Sequence, residues 1–128
     1  MGSARWKSDI ENEVTDGSVV VVDRFVDDEE LVKLYNISNC YVSTSLNEGF
    51  GMPQLEALRC GCPVVSPRNS AMIEVVEGKG RLVEGWDENE WVNTISEESR
   101  KGHQNYDLHE YFWDNKVKEM YNYLLAAK

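Results

Sequence analysis

Two glutamates, Glu48 and Glu56, stand with seven residues between them in a stretch that also holds two glycines and a proline. An ionised carboxylate accepts hydrogen bonds and does not donate them, so hydroxyl groups are suitable partners. Gly49 and Gly51 have no side chains, which lets backbone amides approach a ligand closely. Pro53 predicts the start of a helix, where unpaired N–H groups favour an anion. Together these residues predict a site for a diphosphate with a sugar on each side.

The segments around this stretch alternate between apolar runs and helical patterns. Apolar runs predict short strands at residues 18–22, 39–45, 62–66 and 80–85. Helical patterns with acidic or proline starts follow them, beginning near Asp27, Pro53, Ala71, Asp87 and Asp107. This alternation predicts an α/β fold with a parallel sheet. The two glutamates then follow a strand, at the carboxyl edge where such sheets bind ligands.

Length and charge exclude several classes of protein. A chain of 128 residues suits one domain. A net charge of −10 argues against a general nucleic-acid binder and against anionic membrane surfaces, but it permits a small phosphorylated ligand held by backbone amides. We find no apolar run that predicts a signal peptide or a membrane span, so we expect a cytoplasmic protein.

Cysteine spacing gives no metal site. Cys40, Cys60 and Cys62 are odd in number, and without a secretory signal they are interpreted as reduced thiols. Cys60 and Cys62 are too close for a zinc ligand pair, and no second pair accompanies them. The sequence predicts no metal and no cofactor.

Simpler interpretations stay open for the same residues. Acids near a helix start stabilise it by about 0.3–1 kcal/mol, which alone would account for Glu48 and Glu56. Gly49 and Gly51 are also ordinary turn residues. The aromatic residues of the last two predicted helices, such as Trp91, are interpreted as packing residues rather than as a stacking surface.

The stretch EGFGMPQLE, followed by EALRCGCPVV, resembles the E-x7-E motif of retaining glycosyltransferases of the GT-B fold. The family includes sucrose synthases and many bacterial lipopolysaccharide and mannosyl transferases. The resemblance covers about residues 19–125. It implies a Rossmann-like parallel sheet with flanking helices, corresponding to part of the C-terminal, donor-binding half of such an enzyme.

The resemblance also implies roles for individual residues. Glu48 would be the catalytic residue and contact hydroxyls of the donor sugar near the reacting carbon. Glu56 would hold the ribose hydroxyls of the nucleotide. The diphosphate and sugar would face backbone amides of Gly49, Phe50, Gly51 and Met52, and the nucleobase would lie against Arg24, Phe25 and Val26.

The chain departs from the family at two places. Arg24 stands where the family usually has glycine. The family also has two earlier strands, which carry an arginine and a lysine for the diphosphate, whereas an acidic segment precedes residue 18 here. We therefore expect residues 1–17 to be a lead-in, with Met-Gly-Ser typical of a cloning remnant, and residues 18–128 to be an incomplete donor-binding domain.

These features together predict the donor-binding part of a retaining glycosyltransferase that moves a hexose from a nucleoside diphosphate to an acceptor. The expected partners are a nucleotide sugar and either an acceptor-binding half or a second copy that completes the sheet. The alternative is a non-catalytic remnant or an engineered domain that keeps the fold without transferase activity. By itself, the chain is expected to be inactive.

Overall fold

The computed structural model describes residues 8–9, 12, 15–45, 51–109, 122 and 125–126. Helices and strands alternate along the central part of the chain, as the sequence predicts. In chain order they are α1 (Asp28–Ile37), β1 (Tyr41–Val42), α2 (Met52–Arg59), β2 (Val64–Pro67), α3 (Ser70–Val76), β3 (Arg81–Val83) and α4 (Glu88–Ser99).

The three strands form one parallel sheet in the order β1-β2-β3. Tyr41 pairs with Val64 at one side of β2, and Val65 pairs with Arg81 at the other. All four residues of β2 are buried, because helices cover both faces of the central strand. The predicted α/β fold, Rossmann-like in its parallel strands and flanking helices, is confirmed.

Two aspartates fix the starts of α1 and α4. The side chain of Asp27 accepts a hydrogen bond from the backbone N–H of Glu30 at 2.8 Å, and Asp87 accepts one from Glu90 at 2.9 Å. Each carboxylate satisfies a helix N–H that would otherwise have no partner, and further acids in each first turn suit the positive end of the helix dipole. The predicted starts of these helices are confirmed.

Neighbouring residues of β2 point to two separate parts of the core. Val64 packs in a cluster on the side of α1, α2 and α3, whereas Val65 packs with Val83 and Trp91 on the side of α4. Alternate side chains of a strand face opposite sides of the sheet, which explains the division. The larger cluster comprises Tyr35, Leu55, Ala57, Leu58, Cys62, Val64, Val75, Val76 and Leu108.

The strand predicted at residues 18–22 is wrong. These residues are in neither a helix nor a strand, and Val20 is 81% exposed. A strand is stabilised by hydrogen bonds to a neighbouring strand. In the sheet of the described residues, no strand pairs with this valine run.

The strand predicted at residues 39–45 is correct in position but shortens to Tyr41–Val42. The helix predicted from Asp107 falls largely on residues 110–121, which lie outside the described part of the chain. Within the described part, no helix has the length and apolar character needed to cross a membrane.

Candidate functional site

The chain that leads to the first glutamate leaves the carboxyl end of β1. Ser43, just beyond the strand, is buried, and its backbone N–H donates to the carbonyl of Val65 at 3.0 Å. Residues 46–50, including the predicted site residues Glu48, Gly49 and Phe50, lie outside the described part of the chain. The described chain resumes at Gly51, directly before α2.

Gly51 is the N-cap of α2 in a left-handed conformation, with φ of 79°. A Cβ at this position would also lie 3.4 Å from Gln54 Oε1 and from Met72 Sδ. Residues with side chains rarely adopt this φ, so the conformation favours glycine. Met52 is the first residue of the helix and Pro53 the second, which agrees with the predicted helix start near Pro53.

Glu56 lies about one turn into α2, and Tyr35 of α1 orients its carboxylate. The Tyr35 hydroxyl lies 3.2 Å from Glu56 Oε2 and 3.3 Å from the carbonyl of Pro53, so its single proton serves one of these acceptors at a time. Burial, followed by the negative charge of Glu56, raises the pKa of Tyr35 well above its usual value. Tyr35 therefore remains a proton donor at physiological pH.

A cavity of about 410 Å³ opens between α1 and α2 beside this pair; we call it the α1–α2 cavity. Its volume is within the range of small-molecule sites in proteins. Its walls combine two carboxylates, a phenol, a guanidinium and a thiol with aliphatic surface. The lining residues are Asp28, Leu31, Val32, Tyr35, Glu56, Arg59 and Cys60.

The predicted nucleobase residues are not all on this side of α1. Arg24 and Val26 line a second cavity of about 210 Å³ together with Glu30, Lys33, Leu34 and Ile37, which occupy the face of α1 opposite to the α1–α2 cavity. Arg24 is held there by Glu30, with two N–O distances of 2.9 Å. Phe25 lines neither cavity and is 85% exposed. The structure therefore separates Arg24 and Val26 from Glu56.

The three cysteines are free thiols. Of their pKa values, that of Cys40 departs clearly from the ordinary value. Burial, then the nearby Cys62, raises the pKa of the Cys40 thiol to about 11. The described residues hold no cluster of three or more histidine, cysteine or acidic side chains placed to bind a metal ion.

Cys40 is expected to react slowly with alkylating reagents at neutral pH. Because only the thiolate is the nucleophile, a pKa of about 11 in place of 9.0 lowers the reactive fraction about 100-fold near pH 8. Iodoacetamide labelling followed by peptide mass spectrometry should give a Cys40 rate that rises until about pH 11. The denatured chain is the control, and labelling of native Cys40 as fast as in that control would contradict the prediction.

Sequence comparisons place these features among known proteins. The model of the family described as glycosyl transferases group 1 matches residues 13–112. The chain is 33% identical over 102 residues to a D-inositol 3-phosphate glycosyltransferase of Corynebacterium urealyticum, covering 72% of this chain and 24% of that protein. It is 42% identical over 60 residues to O-antigen chain mannosyltransferase B of Escherichia coli, covering 47% and 16%.

A third relative is the serotype-specific mannosyltransferase WbdA of Escherichia coli, with 39% identity over 59 residues, 46% of this chain and 7% of that protein. The chain thus spans less than a quarter of the length of each of these three relatives. No solved structure matches the chain significantly.

Proposed function

Because the chain belongs to the glycosyl transferases group 1 family, we propose that it is the donor-binding part of a retaining glycosyltransferase. It would hold a nucleoside diphosphate sugar while the hexose moves to an acceptor. The observation that carries this proposal is the Glu56 carboxylate, held by Tyr35 beside a cavity of about 410 Å³. The family match adds sugar transfer as the chemistry.

The ribose is the part of the donor that suits Glu56. Tyr35 lies against Oε2, so the proposal assigns Oε1 to a ribose hydroxyl in the α1–α2 cavity. A carboxylate would repel the diphosphate, which makes a neutral hydroxyl the favoured contact. The fixed carboxylate requires little further ordering when the ligand binds.

The remaining donor contacts are proposed for the start of α2 and the segment before it. Glu48 would contact the transferred sugar near its reacting carbon, and the amides of Gly49, Phe50, Gly51 and Met52 would face the diphosphate. The left-handed N-cap at Gly51 supports this, since α2 starts there without a side-chain cap. Of the predicted nucleobase residues, only Phe25 has an aromatic ring, and its exposure leaves that ring open for stacking on a base.

A partner is proposed to complete the sheet. In the described residues β1 pairs only with β2, so its other edge has no strand beside it. The valines at residues 19, 20 and 22 are exposed nearby in sequence, with the composition of a strand and no strand neighbour. An acceptor-binding half that brings strands with it, or a second copy of the chain, would give both features a neighbour.

The alternative function is a non-catalytic domain that keeps the fold. The net charge of −10 favours this alternative, because it opposes an anionic donor. The two functions differ in one observable property, which is binding of a nucleoside diphosphate that depends on Glu56.

We expect Glu56→Gln to weaken binding of UDP, GDP or ADP, whichever binds best, by about 10- to 100-fold. The change keeps the side-chain volume and removes the charged acceptor of the ribose hydroxyls. Amide chemical shifts during titration give the affinity. Tyr35→Phe should have a smaller effect, about 2- to 10-fold, because the carboxylate remains but loses its orienting hydroxyl.

A dideoxynucleotide tests the ribose contact directly. The 2′,3′-dideoxy form should bind the unmodified protein about as weakly as the ribonucleotide binds Glu56→Gln, and Glu56→Gln should weaken it no further. Glu88→Gln, at an exposed acid of α4, is the charge-matched control. Equal losses for ribose and dideoxyribose forms in Glu56→Gln would reject the ribose role, and no binding of any nucleotide would favour the non-catalytic alternative.

A further inference from the structure

A third and smaller pocket lies at the carboxyl ends of β2 and β3. It has a volume of about 130 Å³, shares no residue with the α1–α2 cavity and is called here the Trp86 pocket. Its residues come from the last positions of the two strands and from the loops that follow them. They are Pro67, Arg68, Asn69, Val83, Gly85 and Trp86.

Trp86 forms a rigid aromatic wall of this pocket. Its ring stacks on Trp91 with a centroid distance of 5.2 Å and an interplanar angle of 5°. The Trp91 indole N–H donates to the carbonyl of Gly85 at 3.0 Å, and this hydrogen bond fixes the Trp91 ring on which Trp86 stacks. Trp86 directly precedes the N-cap Asp87 and Trp91 is the fourth helical residue, so the pair is a hydrophobic staple.

The staple accounts for only one face of the Trp86 ring. Packing on Trp91 leaves 53% of Trp86 exposed, and the residue also lines the pocket. Any apolar side chain at this position would serve a staple, whereas a flat aromatic face is also a binding surface for flat or apolar ligand faces.

Arg68 forms the polar side of the pocket, and its charge is already compensated. Its Nη2 lies 3.1 Å from Glu77 and its Nε 3.5 Å from Glu84. Its backbone N–H donates to the carbonyl of Val83 at 2.9 Å, which joins the two strand ends. One cation between two carboxylates leaves a negative local balance, so the pocket disfavours phosphate and favours an uncharged ligand with hydroxyl groups.

We propose that the Trp86 pocket binds a pyranose ring of a neutral saccharide. The apolar C–H face of the ring would lie on the exposed face of Trp86, and its hydroxyls would meet the guanidinium of Arg68 at the rim. A pyranose combines these two kinds of surface, whereas a nucleotide would bring a phosphate towards Glu77 and Glu84.

The position of the pocket assigns the saccharide to the acceptor side of the reaction, an assignment that rests on the proposed function. The Asn69 side-chain amide donates to the carbonyl of Ser45 at 3.4 Å, three residues beyond the end of β1. From Ser45 the chain continues directly to the segment that carries Glu48. A glycan seated on Trp86 would therefore lie at the same edge of the sheet as the proposed donor site.

The test is a titration with α-linked mannobiose and with maltose, followed at the tryptophan indole N–H groups by NMR. The Trp86 resonance, assigned by its loss in Trp86→Phe, should shift more than that of Trp91, whose N–H is already bonded to Gly85. Trp86→Ala should weaken saccharide binding by at least about tenfold, while Trp86→Phe, which keeps an aromatic face, should stay within about threefold.

Val92→Ala, at an exposed position of α4 outside the pocket, is the matched control and should change nothing. If loss of the staple unfolds Trp86→Ala, the Trp86→Phe and Arg68→Lys proteins replace it. Saturation transfer from these two proteins to the sugar protons then keeps the test decisive. Absence of any saccharide-dependent shift, an unchanged affinity in a folded Trp86→Ala protein, or displacement of the sugar by inorganic phosphate would overturn the proposal. Glu56→Gln should leave the saccharide titration unchanged, so this proposal and donor binding fail separately.

Discussion

Replacing Gly61 by alanine is expected to destabilise the domain by about 2–5 kcal/mol, a large share of the stability of a typical domain. Gly61 follows the C-cap of α2 with φ of 79°, a conformation that residues with a Cβ adopt at a cost of about 1–2 kcal/mol. The added Cβ would also lie 2.6 Å from the backbone oxygen of Gln104. Since a backbone atom cannot rotate away, either the helix end or the segment around Gln104 must move.

The surrounding hydrogen bonds show what this movement disrupts. The N–H groups of Gly61 and Cys62 donate to the carbonyls of Leu58 and Ala57, both at 2.9 Å, which is the Schellman arrangement at a helix end. Gln104 in turn donates to the carbonyl of Gly61 at 3.0 Å, which docks the chain that leads to the buried Leu108. The change therefore loosens a segment far away in sequence as well as α2.

Gly78→Ala separates conformational strain from steric clash. Gly78 has nearly the same φ, 80°, but no atom outside its chain neighbours lies within 4 Å of its added Cβ. It should therefore cost only about 1–2 kcal/mol. Urea unfolding, followed by circular dichroism, gives both free energies, and equal losses in the two variants would show that the contact with Gln104 carries no weight.

Local chemistry explains which parts of this fold could be predicted from the sequence. Asp27 and Asp87 satisfy helix N–H groups three residues away, so the starts of α1 and α4 are determined within a few neighbouring residues. Gly61 marks the end of α2 in the same way. The Trp86 and Trp91 staple was missed, although its spacing around Asp87 is also a local pattern.

Contacts between distant residues explain what the sequence did not predict. The valine run at residues 18–22 has the composition of a strand, but a strand also depends on a neighbour that composition does not reveal. Glu98 of α4 lies in a helix that the sequence predicts, but no local pattern indicates that its side chain is wholly buried, with Lys101 Nζ at 2.8 Å and Arg81 at 3.9 Å. The Lys101 contact is an ion pair without hydrogen-bond geometry.

The candidate site also combines residues that local sequence predicts with residues that only tertiary packing places. Glu56 was identified from the sequence because its motif is contiguous. Tyr35, which orients it, is 21 residues earlier and lies outside that motif. The grouping of Arg24 and Val26 with the donor site stays a prediction, and they occupy the opposite side of α1 from Glu56. A tertiary packing direction of this kind is not specified by local spacing.

The 128-residue chain by itself is expected to bind a nucleotide sugar weakly and to give no detectable sugar transfer. The family resemblance assigns the diphosphate an arginine and a lysine on two strands before residue 18, and the sheet of the described residues begins at Tyr41. Each lost charge-assisted contact costs on the order of 1.5–3 kcal/mol, so two such losses weaken binding by roughly two to four orders of magnitude. The net charge of −10 also opposes an anionic ligand.

Transfer requires more than donor binding, because an acceptor must be held in line with the donor carbon and this positioning supplies much of the rate. The measurements are release of nucleoside diphosphate from several donors in a coupled assay and calorimetry on the same samples, with a full-length group 1 enzyme as the positive control. A chimera that adds the two family strands should recover much of the lost donor affinity, whereas the same chimera with methionine at the arginine and lysine positions should not. Micromolar donor affinity or enzyme-level turnover by the chain alone would refute the prediction.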